Sequence, residues 1–176
     1  MRQALPALSA FTAGLYFSAC QVGYFIALEF HLSTTFVAYF SAIGLWLLGG
    51  LVGLFLPWRS LRVPLVFGGL AAYYLHGFVL SQFPYNLFVL PLSLACIFTT
   101  ALYSGYFFRH ARRDFGSSKA LFFHENNGFL LGYIVAFTEL LLYGQITQQI
   151  LPLVMAGCHL LVLSIPSASP VSSSQK

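Results

Sequence analysis

Charged residues divide this chain into long apolar stretches, and the divisions predict its elements. No charge falls between Arg2 and Glu29, which predicts a helical span over approximately Leu5 to Leu28. Residues 30 to 58 are again uncharged up to Arg59, predicting a second span near Thr34 to Pro57. The stretch Val63 to Phe108 is too long for one crossing. It divides at Ser81-Gln-Phe-Pro-Tyr-Asn86, where Pro84 and Asn86 favour a turn. Spans three and four follow, near Val63 to Leu80 and Leu87 to Phe108. After the polar loop Arg109 to Lys119, spans five and six run near Ala120 to Tyr143 and Ile146 to Ile165. Gly144 and the glutamines Gln145, Gln148 and Gln149 mark the boundary between them. Each segment fits the roughly 20 residues that a membrane helix needs at about 1.5 Å rise per residue. The expectation is an all-α, polytopic six-helix membrane bundle over residues 1–166, followed by a Ser/Pro-rich disordered tail over residues 167–176.

Composition supports lipid as the solvent. Hydrophobic residues make up 59% of the 176 positions and charged residues only 7%, against about a quarter in soluble domains. A core of this size could not hide that much apolar surface, and disorder needs the opposite balance. Orientation follows from the basic residues. Arg2, Arg59, Arg62, Arg109, Arg112, Arg113, Lys119 and Lys176 are all the basic residues, and with six spans every one falls on the same side. That side is expected to be the cytoplasm, with both termini there and the protein in the cell (inner) membrane. The same asymmetry accounts for the net charge of +4 without a nucleic-acid partner. Phe17-Ser-Ala-Cys20 faintly resembles a lipoprotein cleavage site, but the apolar run continues past Cys20 to Leu28, and an uncleaved first span is expected.

Small and polar residues inside the spans supply the candidate chemistry. Gly49-x-x-x-Gly53 in span two and Gly128-x-x-x-Gly132 in span five are expected to be helix-packing faces. At about 100° per residue, Glu125, Gly128, Gly132, Val135 and Glu139 share one face of span five. Gly14, Ser18 and Gln21 form a similar stripe on span one. Carboxylates are costly in hydrocarbon, so Glu125 and Glu139 are candidates for a proton or substrate pathway. Gln21, His76 and Asn126 would be its polar lining. The competing reading places both acids near the interfaces, with Glu125 in reach of Arg59, Arg62 or Arg109. Cys20, Cys96 and Cys158 lack metal-ligand spacing and read as packing residues. His76 lies roughly 20 Å along its span from the basic end and His159 about 9 Å, so they are mismatched as a haem pair. No metal or other cofactor is expected.

Two stretches resemble a known family. Gly14-Leu-Tyr-Phe-Ser-Ala-Cys-Gln-Val, then Ser33-Thr-Thr and the glycines Gly44, Gly49, Gly50 and Gly53, resemble the opening helix pair of major-facilitator-like membrane domains. The nearest likeness is to the membrane portion fused to some bacterial spermidine synthases. Glu125-Asn-Asn-Gly128-Phe-Leu-Leu-Gly132, leading to Gly144, resembles the fifth helix of the same domains. Gln21 stands where the synthase-associated domains carry an acid. The aspartate of the facilitator loop is missing from Gly53-Leu-Phe-Leu-Pro-Trp-Arg-Ser-Leu-Arg62. With six spans and no soluble aminopropyl-transfer domain in the sequence, the resemblance implies a half-transporter-like bundle, not polyamine synthesis. It also implies two inverted three-helix repeats in which spans two and five correspond.

Three functions remain open on these residues. The first is a permease component that pairs with a second copy or a sister half. The second is an accessory or scaffold subunit of a larger membrane complex, suggested by the short loops and abundant Phe and Tyr. The third is a membrane enzyme using His124, Glu125 and His110, although no nucleophile–base spacing supports a reaction class.

Overall fold

The computed structural model describes residues 4–32 and 36–165, excluding the side chains of Gln145 and Thr147. Arg2, Ser33-Thr-Thr with the expected start of span two, Lys176 and the expected tail lie outside the described residues. Among the described residues, six α-helices form an all-α bundle: α1 (Ala4–His31), α2 (Phe36–Gly53), α3 (Arg62–Gln82), α4 (Leu90–Ala111), α5 (Ser118–Tyr143) and α6 (Gln145–Ser164). Short 3-10 turns at Arg59–Leu61, Leu87–Val89 and Arg112–Asp114 adjoin α3 and α4.

Local chemistry sets the helix ends. Helix α2 stops at Gly53, short of Pro57, and the chain crosses to α3 through turns at Leu54 and Phe55. The Asn86 side chain accepts the Phe88 N–H at 3.0 Å, and Pro91 then occupies the first turn of α4, where a missing N–H costs nothing. Ser117 caps α5 by accepting the Ala120 N–H at 3.2 Å. Helix α5 ends at Gly144, whose φ of +71° lets the chain turn directly into α6.

Pro152 lies inside α6 and removes the N–H that would bond the Gln148 carbonyl. The Tyr73 hydroxyl on α3 donates to that carbonyl instead, at 2.7 Å. Next door, the Tyr74 hydroxyl donates to the Gln149 carbonyl at 2.6 Å. Backbone freed by the proline is thus satisfied from a neighbouring helix, as an apolar environment requires.

Helix α1 is the most enclosed element. It packs chiefly on α5 and α6, whereas α4 packs chiefly on α2 and α3. The Tyr85 N–H, in the turn before α4, donates to the His31 carbonyl at the end of α1. Helices α1 and α4 therefore run in opposite directions. The start of α1 and the ends of α4 and α6 meet around one cavity at the opposite pole of the bundle. Arg59, Arg62, Arg109, Arg112, Arg113 and Lys119 all lie at helix termini or connectors of that pole.

Among the described residues, four helical segments are long and apolar enough to cross a membrane: Ala4–His31, Phe36–Gly53, Arg59–Gln82 and Leu87–Asp114. Gln148–Ser164 is a shorter apolar helix, and α5 is diluted by Lys119, Glu125, Asn126, Asn127 and Glu139. Large apolar side chains such as Phe40, Leu47, Phe78, Phe88, Leu130 and Leu141 cover the outside. An apolar surface of this extent suits lipid far better than water.

Candidate functional site: a polar seam inside the bundle

Two close helix crossings frame the interior. On α5, a Cβ placed at Gly128 would collide with the Phe11 carbonyl, and one at Gly132 with Ser18 Oγ and the Leu15 carbonyl. On α2, a Cβ at Gly49 would meet the Phe98 carbonyl, and one at Gly53 the Leu102 carbonyl. Both pairs of helices approach backbone to backbone because glycine stands at each contact. Both pairs also run parallel, since residue numbers rise together along each contact.

Between these crossings, one face of α1 carries polar groups at i+4 spacing: Thr12, Tyr16, Cys20 and Tyr24. All four are buried, and three of them bond to other helices. Thr12 Oγ1 lies 2.9 Å from His159 Nδ1 on α6, and Tyr103 Oη on α4 lies 2.6 Å from His159 Nε2. The Thr12 hydroxyl donates to the Leu8 carbonyl at 3.0 Å, leaving its lone pairs toward the imidazole. That assigns the His159 proton to Nδ1, so that Nε2 accepts the Tyr103 O–H. Further along, the Tyr16 hydroxyl reaches the Val66 carbonyl at 3.4 Å. Tyr24 Oη lies 2.7 Å from Thr100 Oγ1, and Thr100 reaches the Gly69 carbonyl at 2.9 Å. The His76 ring packs edge-on against Tyr24 with centroids 4.7 Å apart. His76 is buried, and neither of its ring nitrogens has a hydrogen-bond partner among the described residues; nor has Gln148 Oε1.

The five residues singled out as pathway candidates do not converge. Glu125 is buried at the α1–α5 crossing, where its carbonyl lies against Gly14, and among the described residues no basic side chain is within ion-pair distance of its carboxylate. The suggested pairing with Arg59, Arg62 or Arg109 is therefore not formed. Those arginines lie elsewhere: Arg109 donates to the Leu54 carbonyl at 2.8 Å, and Arg59 and Arg62 line the cavity at the basic pole. Glu139 is half-buried and some four turns along the same helix, roughly 21 Å away. Gln21 is half-buried on α1, and Asn126 is exposed on the outer side of α5. Only His76 joins the seam. Arg112 staples the α4–α5 connection, donating to Ser118 Oγ at 2.6 Å and to the Phe115 carbonyl at 3.0 Å, while Arg113 is exposed.

Thr12, Tyr24, Thr100 and Tyr103 are interior polar groups that reading the sequence passed over, and His159 entered it only as half of a mismatched haem pair. The signal was available in the spacing Thr12-x-x-x-Tyr16-x-x-x-Cys20-x-x-x-Tyr24. The stripe of Gly14, Ser18 and Gln21 drew attention to a different side of the same helix. Among the described residues, no group of three or more His, Cys, Asp or Glu side chains converges on a point. His76 and His159 sit in separate clusters. What the seam offers is two hydrogen-bonded clusters inside an apolar bundle, Thr12–His159–Tyr103 and Tyr24–Thr100, with Tyr16 between them on the same face of α1. No family model matches this chain, and no curated protein or solved structure is similar enough to lend it a fold or an activity.

Proposed function

We propose that this protein is a six-span, half-transporter-like component of the cell (inner) membrane. Both termini are cytoplasmic, and the bundle works with a second copy or a sister half. The observation that carries this reading is the repeated crossing. Phe11 and Leu15 on α1 face Gly128 and Gly132 on α5, as Phe98 and Leu102 on α4 face Gly49 and Gly53 on α2. Tyr16 and Tyr103 follow Leu15 and Leu102, and both are fully buried. The secondary pairings match as well: α1 packs on α6 as α4 packs on α3. A swap of α1–α3 with α4–α6 thus preserves the main interfaces while reversing the direction of α1 against α4. That is the pattern of two inverted three-helix repeats, on which alternating-access transporters are commonly built. The gathering of the described basic residues at one pole supports cytoplasmic termini.

Cysteine accessibility tests the topology directly. Gly116→Cys, in the connector at the basic pole, should label only from the cytoplasmic side. Tyr85→Cys, in the opposite turn, should label only from outside. Labelling of both from one side defeats the six-span reading. For function, proteoliposomes should show proton or solute flux that changes in Glu125→Gln or Glu139→Gln. Unchanged flux in both variants removes the two acids from the mechanism.

An accessory-subunit reading has one observation in its favour. Asn126 and Asn127 are exposed on α5 beside the buried Glu125, and amides facing hydrocarbon need a partner. A scaffold subunit would place them against another membrane protein.

A further inference from the structure

At the basic pole the ends of α1, α3, α4 and α6 line a partly open cavity of about 980 Å³. Its walls are of two kinds. Leu5, Val63, Phe107, Val162 and Leu163 make an apolar side, and Arg59 and Arg62 supply positive charge, with Asp114 at the rim. Arg62 is half-buried, and among the described residues no carboxylate lies within ion-pair distance of it. Its charge bears on Tyr103, Tyr106 and His159. The two tyrosine hydroxyls nearby are already committed: Tyr103 donates to His159, and Tyr106 donates to the Arg59 carbonyl at 2.9 Å. The latter bond ties the 3-10 turn carrying Arg59 to α4. His110 sits near the same connector, 3.4 Å from the Pro57 carbonyl. The donors left for a ligand are the N–H groups of two guanidiniums three residues apart, which carry the charge, and the Ser9 and Ser60 hydroxyls.

We infer that this cavity binds the phosphate group of an amphiphilic phosphate ester. Arg62 is its inner contact, Arg59 its outer contact, and the apolar wall holds its hydrocarbon part. The inference rests on the membrane reading above. Two arginine forks present more donors than one carboxylate can accept, whereas a phosphate has enough oxygens for both. Size agrees, since the cavity lies at the upper end of the roughly 300–1,000 Å³ typical of ligand pockets. The ligand can come from either of two sources: the headgroup of an anionic phospholipid in the adjacent leaflet, or a soluble phosphate ester.

The test uses the full-length chain in neutral detergent, titrated with hexyl phosphate, with phosphatidylglycerol in mixed micelles, and with hexanoate. Saturable binding of a phosphate probe is expected, with hexanoate much weaker. Arg62→Gln should weaken phosphate binding by about tenfold or more, the effect of losing one charge-assisted contact. Arg62→Lys should lose less. Arg113→Gln, outside the cavity, should bind like the wild type and reports on generic charge attraction. Circular dichroism and size-exclusion profiles identify any variant that fails to fold. In that event Arg59→Gln, at an exposed position, carries the comparison. Tighter phosphatidylglycerol binding identifies a lipid site, and tighter hexyl phosphate binding a soluble-ester site. Absence of both, equal binding of hexanoate, or equal loss in Arg113→Gln overturns the inference. Because binding is read without transport or topology, its failure is distinct from failure of the six-span reading.

Discussion

At the residue scale, the interior polar groups form a set in which each member decides the state of the next. Thr12 spends its hydrogen on the Leu8 carbonyl, so His159 presents Nδ1–H to Thr12 and a lone pair to Tyr103. Removing the end of such a chain strands the middle. Tyr103→Phe should destabilise the bundle by about 1–3 kcal/mol, the cost of leaving a buried nitrogen unpaired. Thr12→Val should act similarly. The double variant should cost less than the two single effects added, because His159 is already compromised. Unfolding in mild detergent–denaturant mixtures measures all three, and strict additivity would show that the two contacts are independent. These groups were hard to read in the sequence because hydroxyls and one imidazole scarcely interrupt an apolar run. Glu125 stands out there by its charge, whereas Tyr103 and Thr12 pass for packing residues. Their roles depend on which helix lies opposite, and a single helix does not record that.

Among elements, the crossings matter more than the helices themselves. Charge gaps and the proline-containing turn at Pro84 predict six helices, and the described residues form six. The glycine pairs also point to contact faces, because only small residues let two backbones meet. What spacing cannot reveal is the partner: α1 meets α5 and α2 meets α4, although neither pair is consecutive in the chain. Nor does a proline in a sequence indicate which neighbour will satisfy the carbonyl it frees. That neighbour is Tyr73 here, so Tyr73→Phe should loosen α6 near Pro152. Faster amide exchange around residues 148–152 than in the rest of α6 is the expected result, and unchanged protection would refute the role. The crossings themselves lead to a paired expectation. Gly128→Leu and Gly49→Leu each force a side chain into an opposing carbonyl and should each cost about 1–3 kcal/mol or more. Gly77→Leu, where a side chain meets open space, should be tolerated. Comparable losses at Gly128 and Gly49 are what equivalent crossings require. A loss at only one would mean that the two are not equivalent in the folded protein.

On the scale of the whole molecule, the outer surface poses the question of a partner. Phe123, Asn127, Leu130 and Ile134 follow helical spacing on the outside of α5, and all are exposed. Asn127 is thus an amide set within an apolar stripe, about 13 Å into the helix from its start. In lipid alone its donors and acceptor would go unmet, a state that membrane helices avoid by association. A second copy offers the simplest solution, since a two-fold axis near Asn127 lets the two amides pair with each other. Asn127→Cys in native membranes should then form a disulfide-linked species of twice the mass on mild oxidation. Leu75→Cys, exposed on α3, should not. The unsubstituted chain controls for Cys158, which is also exposed. Asn127→Leu should weaken association by about 0.6–2 kcal/mol, the range for hydrogen bonds between membrane helices. If the cysteine variant instead captures a different protein in fixed ratio, the scaffold reading gains and the self-paired half-transporter loses. A chain that crosslinks to nothing through α5, and runs as a monomer in mild detergent, would mean that Asn127 is satisfied within its own helix. The second half of any pathway would then have to meet this bundle on a face other than α5.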